Sequence, residues 1–110
     1  RLTPQRLANS SWVIFLFLRR MANRLPVPLS HFPFLIGSER ERVDGVLCAK
    51  GVSAIHAQFV REGDVVYLLD EESGQGTFYN DTRLVPWQKT KVKDGDILRF
   101  GTGEYVVEIT

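Results

Sequence analysis

The sequence predicts an all-β domain, either a two-sheet sandwich or a barrel. Turn signals recur every 8 to 12 residues along most of the chain. The apolar residues between them alternate with the period of a strand. No stretch of ten or more residues holds a helical period, and Pro4 to Asn9 makes one turn at most.

The first apolar run, Trp12 to Leu18 ("WVIFLFL"), is seven residues long and closed by Arg19-Arg20. A membrane-spanning helix needs roughly 20 apolar residues, and the upstream Gln5, Arg6, Asn9, Ser10 and Ser11 are too polar to lengthen the run. No small-residue cleavage site follows, as a signal peptide would require. The run therefore reads as an interior strand that stops at the two arginines. Pro26, Pro28 and Pro33 mark an edge or loop before Phe32, Phe34 and Ile36 alternate up to Gly37. Ile55 to Val60 alternates, Glu62-Gly63-Asp64 turns the chain, and Val65 to Leu69 returns. Thr77 to Tyr79 meets the turn pair Asn80-Asp81 before Arg83 to Val85. Lys93 to Asp96 turns into Ile97 to Phe100, and Gly101 to Gly103 leads into Tyr105 to Ile109.

The bulk numbers fit one soluble-type domain. The 110 residues are enough to bury a core without covalent staples, and a 44% hydrophobic, 25% charged composition is ordinary. A net charge of +1 gives no general pull towards nucleic acid or anionic lipid. Cys48 is the sole cysteine, which rules out an internal disulfide, and no Cys/His cluster has metal-ligand spacing. No cofactor is expected. The expected division is an extension, residues 1–11, and a domain, residues 12–110, within a larger protein.

The candidate chemistry is sparse. Ser53 and His56 stand three residues apart, but triad members come from distant segments and need an orienting third group. The carboxylates at Glu39/Glu41, Glu71/Glu72 and Asp94/Asp96 lie in loop-like surroundings and read as solvated surface. Gly74-Gln75-Gly76 and Gly101-Thr102-Gly103 lack the strand-turn-helix setting of a dinucleotide site. An enzyme is not expected. Lys89, Lys91 and Lys93 share one face if extended, and Arg19, Arg20 and Arg24 cluster, but neither group interleaves with aromatics as single-strand binders require. A lysine-protected edge strand explains the first group. Nucleic acid is not expected as a partner.

A serine in an interstrand loop can hold a phosphate through its hydroxyl and nearby backbone N–H groups, with a basic residue neutralising charge. Here order along the chain becomes informative. Phe34-Leu35-Ile36-Gly37 comes first, then Ser53-Ala54-Ile55-His56-Ala57. Gly76-Thr77-Phe78-Tyr79-Asn80-Asp81 and Gly95-Asp96-Ile97-Leu98-Arg99-Phe100-Gly101 follow. In this order the series resembles the forkhead-associated (FHA) domain, with its blocks "IGR", "SxxHA", "NGTxxNG" and "GDxIxxG", over roughly Trp12 to Thr110. The resemblance implies a twisted two-sheet β-sandwich with binding loops gathered at one end. It also implies recognition of phosphothreonine peptides without catalysis. Ser53 matches the family's phosphate-contacting serine, and His56 the histidine that braces the loops. Gly37, Gly76 and Asn80 carry over as structural residues, and Thr77 is placed with the partner-binding loops.

The departures bear on function. Ser38 stands where the family has the arginine that is its main cationic contact to phosphate. Ala54 replaces the basic residue after the loop serine, and Gln75 replaces the asparagine that clamps the peptide backbone. A hydrogen bond to a charged group contributes about 1.5–3 kcal/mol, so losing the arginine and one more such contact removes roughly 3–6 kcal/mol. That shifts a micromolar binder towards the millimolar range. Arg40, Arg42 and Lys50 are the nearby charges that could compensate, Lys50 as a point charge only. The expectation is a non-catalytic protein–protein interaction module, intracellular (cytoplasmic or nuclear), whose recognition is phosphate-independent or weakly phosphate-dependent. The alternatives are a phosphothreonine reader using displaced basic residues and a structural module that associates with itself as a homodimer, through "NRLPVPLSHFPF". No membrane insertion by this domain is expected.

Overall fold

The computed structural model describes residues 16–20 and 26–109. Within them the chain forms strands and no helix: β1 (Leu16–Arg20), β2 (Val27–Pro28), β3 (Phe34–Gly37), β4 (Gly45–Val46), β5 (Ala57–Glu62), β6 (Val65–Asp70), β7 (Thr77–Tyr79), β8 (Thr82–Arg83), β9 (Thr90–Lys91), β10 (Ile97–Phe100) and β11 (Gly103–Ile109). One sheet has the order β2-β1-β11-β10-β7-β8, the other β4-β3-β5-β6-β9. All pairings are antiparallel except β3 with β4. The fold is the all-β two-sheet sandwich that the sequence predicts.

Alternation decides which side chains make the core. Phe34 and Ile36 of β3, Phe59 of β5 and Val66 and Leu68 of β6 point inward from one sheet. Leu18, Leu98, Phe100, Tyr105 and Val107 point inward from the other. Burial of each large apolar side chain contributes about 1.5–3 kcal/mol, so this interface holds the sandwich shut.

Three expectations about elements change. Strand β1 does not stop at Arg19-Arg20 but includes both, paired with Val106 and Tyr105. Arg19 donates to Glu108 at 2.6 Å, and the Arg20 guanidinium lies 5.9 Å from the Tyr105 ring centroid. Long arginine stems cover the strand while their heads stay wet, so charge does not end it. Trp12 to Phe15, Pro4 to Asn9, Arg24 and the start of the Pro-rich run lie outside the described residues.

The strand expected at Arg83 to Val85 forms one residue earlier, at Thr82–Arg83. Asn80 and Asp81 both take positive φ, 46° and 73°, as a type I′ turn requires, and this fixes the tight Tyr79↔Thr82 pair. The carboxylates are also not all surface. Asp96 is buried and accepts from the Tyr79 hydroxyl at 2.8 Å and the Lys93 N–H at 2.7 Å. By contrast Thr90–Lys91 is an edge strand carrying exposed lysine, with Lys89 paired to Glu62.

Candidate functional site

Four interstrand loops meet at one end of the sandwich, and hydrogen bonds tie them together. The Ser38 N–H donates to the Ser53 carbonyl at 2.9 Å, and the Glu39 N–H to the Ala54 carbonyl at 3.3 Å. These two loops run so close that a Cβ at Gly37 would collide with the Ala54 carbonyl oxygen. Lys50 presents its carbonyl to both the N–H (2.8 Å) and the hydroxyl (2.9 Å) of Thr102. The Gln75 side chain lies over Gly51, with Cγ 3.2 Å from where a Gly51 Cβ would stand.

Ser53 and His56 lock the remaining contacts. The Ser53 Oγ accepts from the Gly74 N–H at 2.9 Å, while its own O–H has no acceptor among the described residues. His56 is fully buried. Its Nδ1 accepts from the Ser53 N–H at 3.0 Å, which places the ring proton on Nε2, where it donates to the Gly76 carbonyl at 3.0 Å. The ring packs edge-on against Phe100, with 5.6 Å between centroids. Burial lowers the His56 pKa, opposed by the Gly76 hydrogen bond and the charge of Asp70. A neutral imidazole with both nitrogens committed to backbone cannot take a proton from Ser53, so the pair is not a nucleophile and its base.

Beneath the third loop lies a buried carboxylate. Asp70 accepts from the Thr77 hydroxyl at 2.7 Å, the Ser73 hydroxyl at 2.6 Å and the Ser73 N–H at 3.2 Å. Thr77, grouped with the binding loops on sequence grounds, is fully buried and engaged with Asp70. It belongs to the frame below the loops, because a hydroxyl spent on a buried carboxylate is not available to a ligand. Asn80 sits further off, its Oδ1 accepting from the Ile97 N–H at 2.8 Å. Tyr79, raised in pKa by burial and then by its bond to Asp96, lies beside it.

The surface that remains is formed by Ser38, Ser53, Ala54 and Gln75, which the structure brings together, with Ser38 and Gln75 exposed. Of the three basic residues, Arg42 is 3.6 Å from Glu39, whereas Arg40 and Lys50 are exposed with no ion pair among the described residues. The site offers neutral donors arranged across three loops, and no matched cation.

Comparison with known proteins decides the family: the FHA domain model matches residues 34–101. The chain belongs to the FHA domain family. Among curated relatives, this FHA domain is 37% identical over 82 residues to the probable E3 ubiquitin-protein ligase dma1 of Schizosaccharomyces pombe, covering 66% of this chain and 31% of that one. Among solved structures, Mycobacterium tuberculosis EmbR in complex with a low-affinity phosphopeptide superposes with a TM-score of 0.81 at 24% identity, over 97% of this chain and 27% of that one. An FHA domain studied for phosphothreonine-dependent interactions superposes with a TM-score of 0.75 at 26% identity, over 87% of this chain and 97% of that one. The chain spans about a fifth to a third of the length of the curated relatives it matches.

Sequence reasoning missed Asp70, Arg83 and Asp96. For Asp70 a signal existed: a serine three residues after an aspartate, as in a side-chain-closed turn. Arg83 gave none, since its position against the third loop depends on the hairpin register.

Proposed function

We propose that this FHA domain is a non-catalytic recognition module that holds a protein segment across Ser38, Ser53 and Gln75, with phosphate adding little to binding. The observation that supports this is the make-up of the loop surface. Ser38 occupies the position after Gly37, Ala54 follows Ser53, and the surface between them presents hydroxyls and an amide in place of a guanidinium. One or two neutral hydrogen bonds do not offset the loss of hydration when a dianion is bound. Titration calorimetry with a degenerate phosphothreonine peptide library and its unphosphorylated twin tests the reading. Similar affinities are expected, and a strong preference for the phosphorylated library overturns it.

A second reading is favoured by Arg40 and Lys50, each exposed and without an ion pair on the loops that hold Ser38 and Ser53. They would supply the missing charge for a phosphothreonine reader; a similar FHA domain was studied for phosphothreonine-dependent interactions. Loss of phosphate preference in Arg40→Ala or Lys50→Ala distinguishes the two.

A further inference from the structure

The loop between β6 and β7, residues 71–76, has Ser53 on one side and a charged residue on the other. Strand β8 places Arg83 opposite Phe78, and the guanidinium folds back over Gly76. Its Nε, Cζ and Nη2 lie 2.7, 3.0 and 3.1 Å from where a Gly76 Cβ would stand. Three nearly equal distances mean that the group lies flat on the glycine. Gly76 has φ +86°, a conformation other residues rarely adopt, so the backbone favours glycine here. The Phe78 ring, 6.0 Å away, flanks the Arg83 guanidinium, and the other arginine on that ring, Arg99, is stacked much more closely at 3.9 Å. Arg19, Arg42 and Lys89 are each paired with a carboxylate. Arg83 is exposed and has no carboxylate partner among the described residues.

The spacing gives this cation a meaning. Ser53 holds the loop at Gly74 and Arg83 covers it at Gly76, two residues on. Two residues of chain span at most about 7 Å. An extended peptide repeats a side chain on one face every two residues, about 6.6–6.8 Å apart. An extended segment that runs from Ser53 along the loop past Gly74 towards Gly76 brings a second side chain, two positions away, to Arg83. We propose that Arg83 is an anion-binding residue of the recognition face, selecting partners with an acidic side chain, carboxylate or phosphate, two positions from the residue at Ser53. The guanidinium edge suits a paired-oxygen anion, which a lysine would meet only as a point charge. This inference rests on the reading above that a peptide lies across these loops.

The test uses fluorescence polarisation of the 110-residue chain with degenerate peptides carrying a central threonine. Aspartate or glutamate is fixed two positions to either side, against asparagine or glutamine twins, and phosphothreonine is fixed there in a third set. On one side, the acidic peptides are expected to bind roughly ten- to a hundred-fold tighter than the amide twins. Arg83→Gln should erase the difference, Arg83→Lys keep part of it, and Arg99→Gln leave it intact. The relative gain for glutamate and phosphothreonine identifies the source of the anion. Binding that ignores the acidic residue, or that Arg83→Gln leaves unchanged, overturns the role of Arg83 alone. Failure of every peptide set to bind overturns the peptide reading with it.

Discussion

The Nδ1 atom of His56 accepts the backbone N–H of Ser53, so the loop serine is held by a ring three residues further along the chain. The same ring reaches Gly76, twenty residues away, and so ties together the two loops that flank the paired strands β5 and β6. His56→Ala removes both bonds and leaves the Ser53 N–H and Gly76 carbonyl without their partner. A loss of about 1–3 kcal/mol in unfolding free energy is expected from urea denaturation. Unchanged stability would show that the bridge is dispensable.

The protonation of His56 predicts a pH dependence. Burial lowers its pKa from the ordinary value of 6.5, so the unfolded chain takes up a proton more readily than the folded one. The contribution of the neutral ring is complete above about pH 6.5 and is lost as the pH falls through the folded-state value. Denaturation midpoints should therefore drop as the pH is lowered below about 6.5. His56→Gln should flatten that part of the profile, and an equally steep profile in the variant would assign the drop to other groups.

Asp70 should matter more than any residue on the exposed surface of the loops. Replacing it by alanine leaves the Ser73 and Thr77 hydroxyls facing a void, at a cost of about 2–3 kcal/mol. Asp70→Asn keeps the volume and one carbonyl, and should recover part of the loss. Thermal unfolding of both variants, with amide spectra of Gly74 and Gly76, would show whether the third loop depends on this carboxylate.

Restoring cations at the loop surface is expected to restore a preference for phosphate. Ser38→Arg combined with Ala54→Arg places two guanidiniums on loops already aligned by the Ser38–Ser53 and Glu39–Ala54 hydrogen bonds. Calorimetry should then record roughly tenfold or greater preference for a phosphothreonine library over its unphosphorylated twin. An unmodified domain that already shows this preference would mean that another basic residue has taken the role.

Much of the sandwich was legible in the sequence because its inward residues alternate. Phe34 and Ile36 read as one face from spacing alone, and Ile97 to Phe100 and Tyr105 to Ile109 read as strands from the turns before them. The end of β1 was not legible. Arg19 lies in the strand with Glu108, two positions from its partner Val106, accepting from its guanidinium, a relationship that exists only after folding. The buried carboxylates failed for the same reason. Asp70 and Asp96 look like loop residues until the hydroxyls of Thr77 and Tyr79 are seen to converge on them. The loop surface itself divides along this line. Ser53 and His56 announced themselves by motif, whereas Arg83 gains significance only from the Phe78↔Arg83 register.

Strands β1 and β11 run antiparallel with Leu16 opposite Ile109, so the polypeptide enters and leaves the described fold side by side. Strand β11 begins at Gly103, next to the Thr102 contact with Lys50, and runs away from the recognition loops. Both points of attachment therefore stand at the far pole from the recognition loops. A fold mounted in this way holds its two attachment points together on one side and its loops on the other. Inserting the whole unit into a host chain would separate the host's flanking residues only slightly.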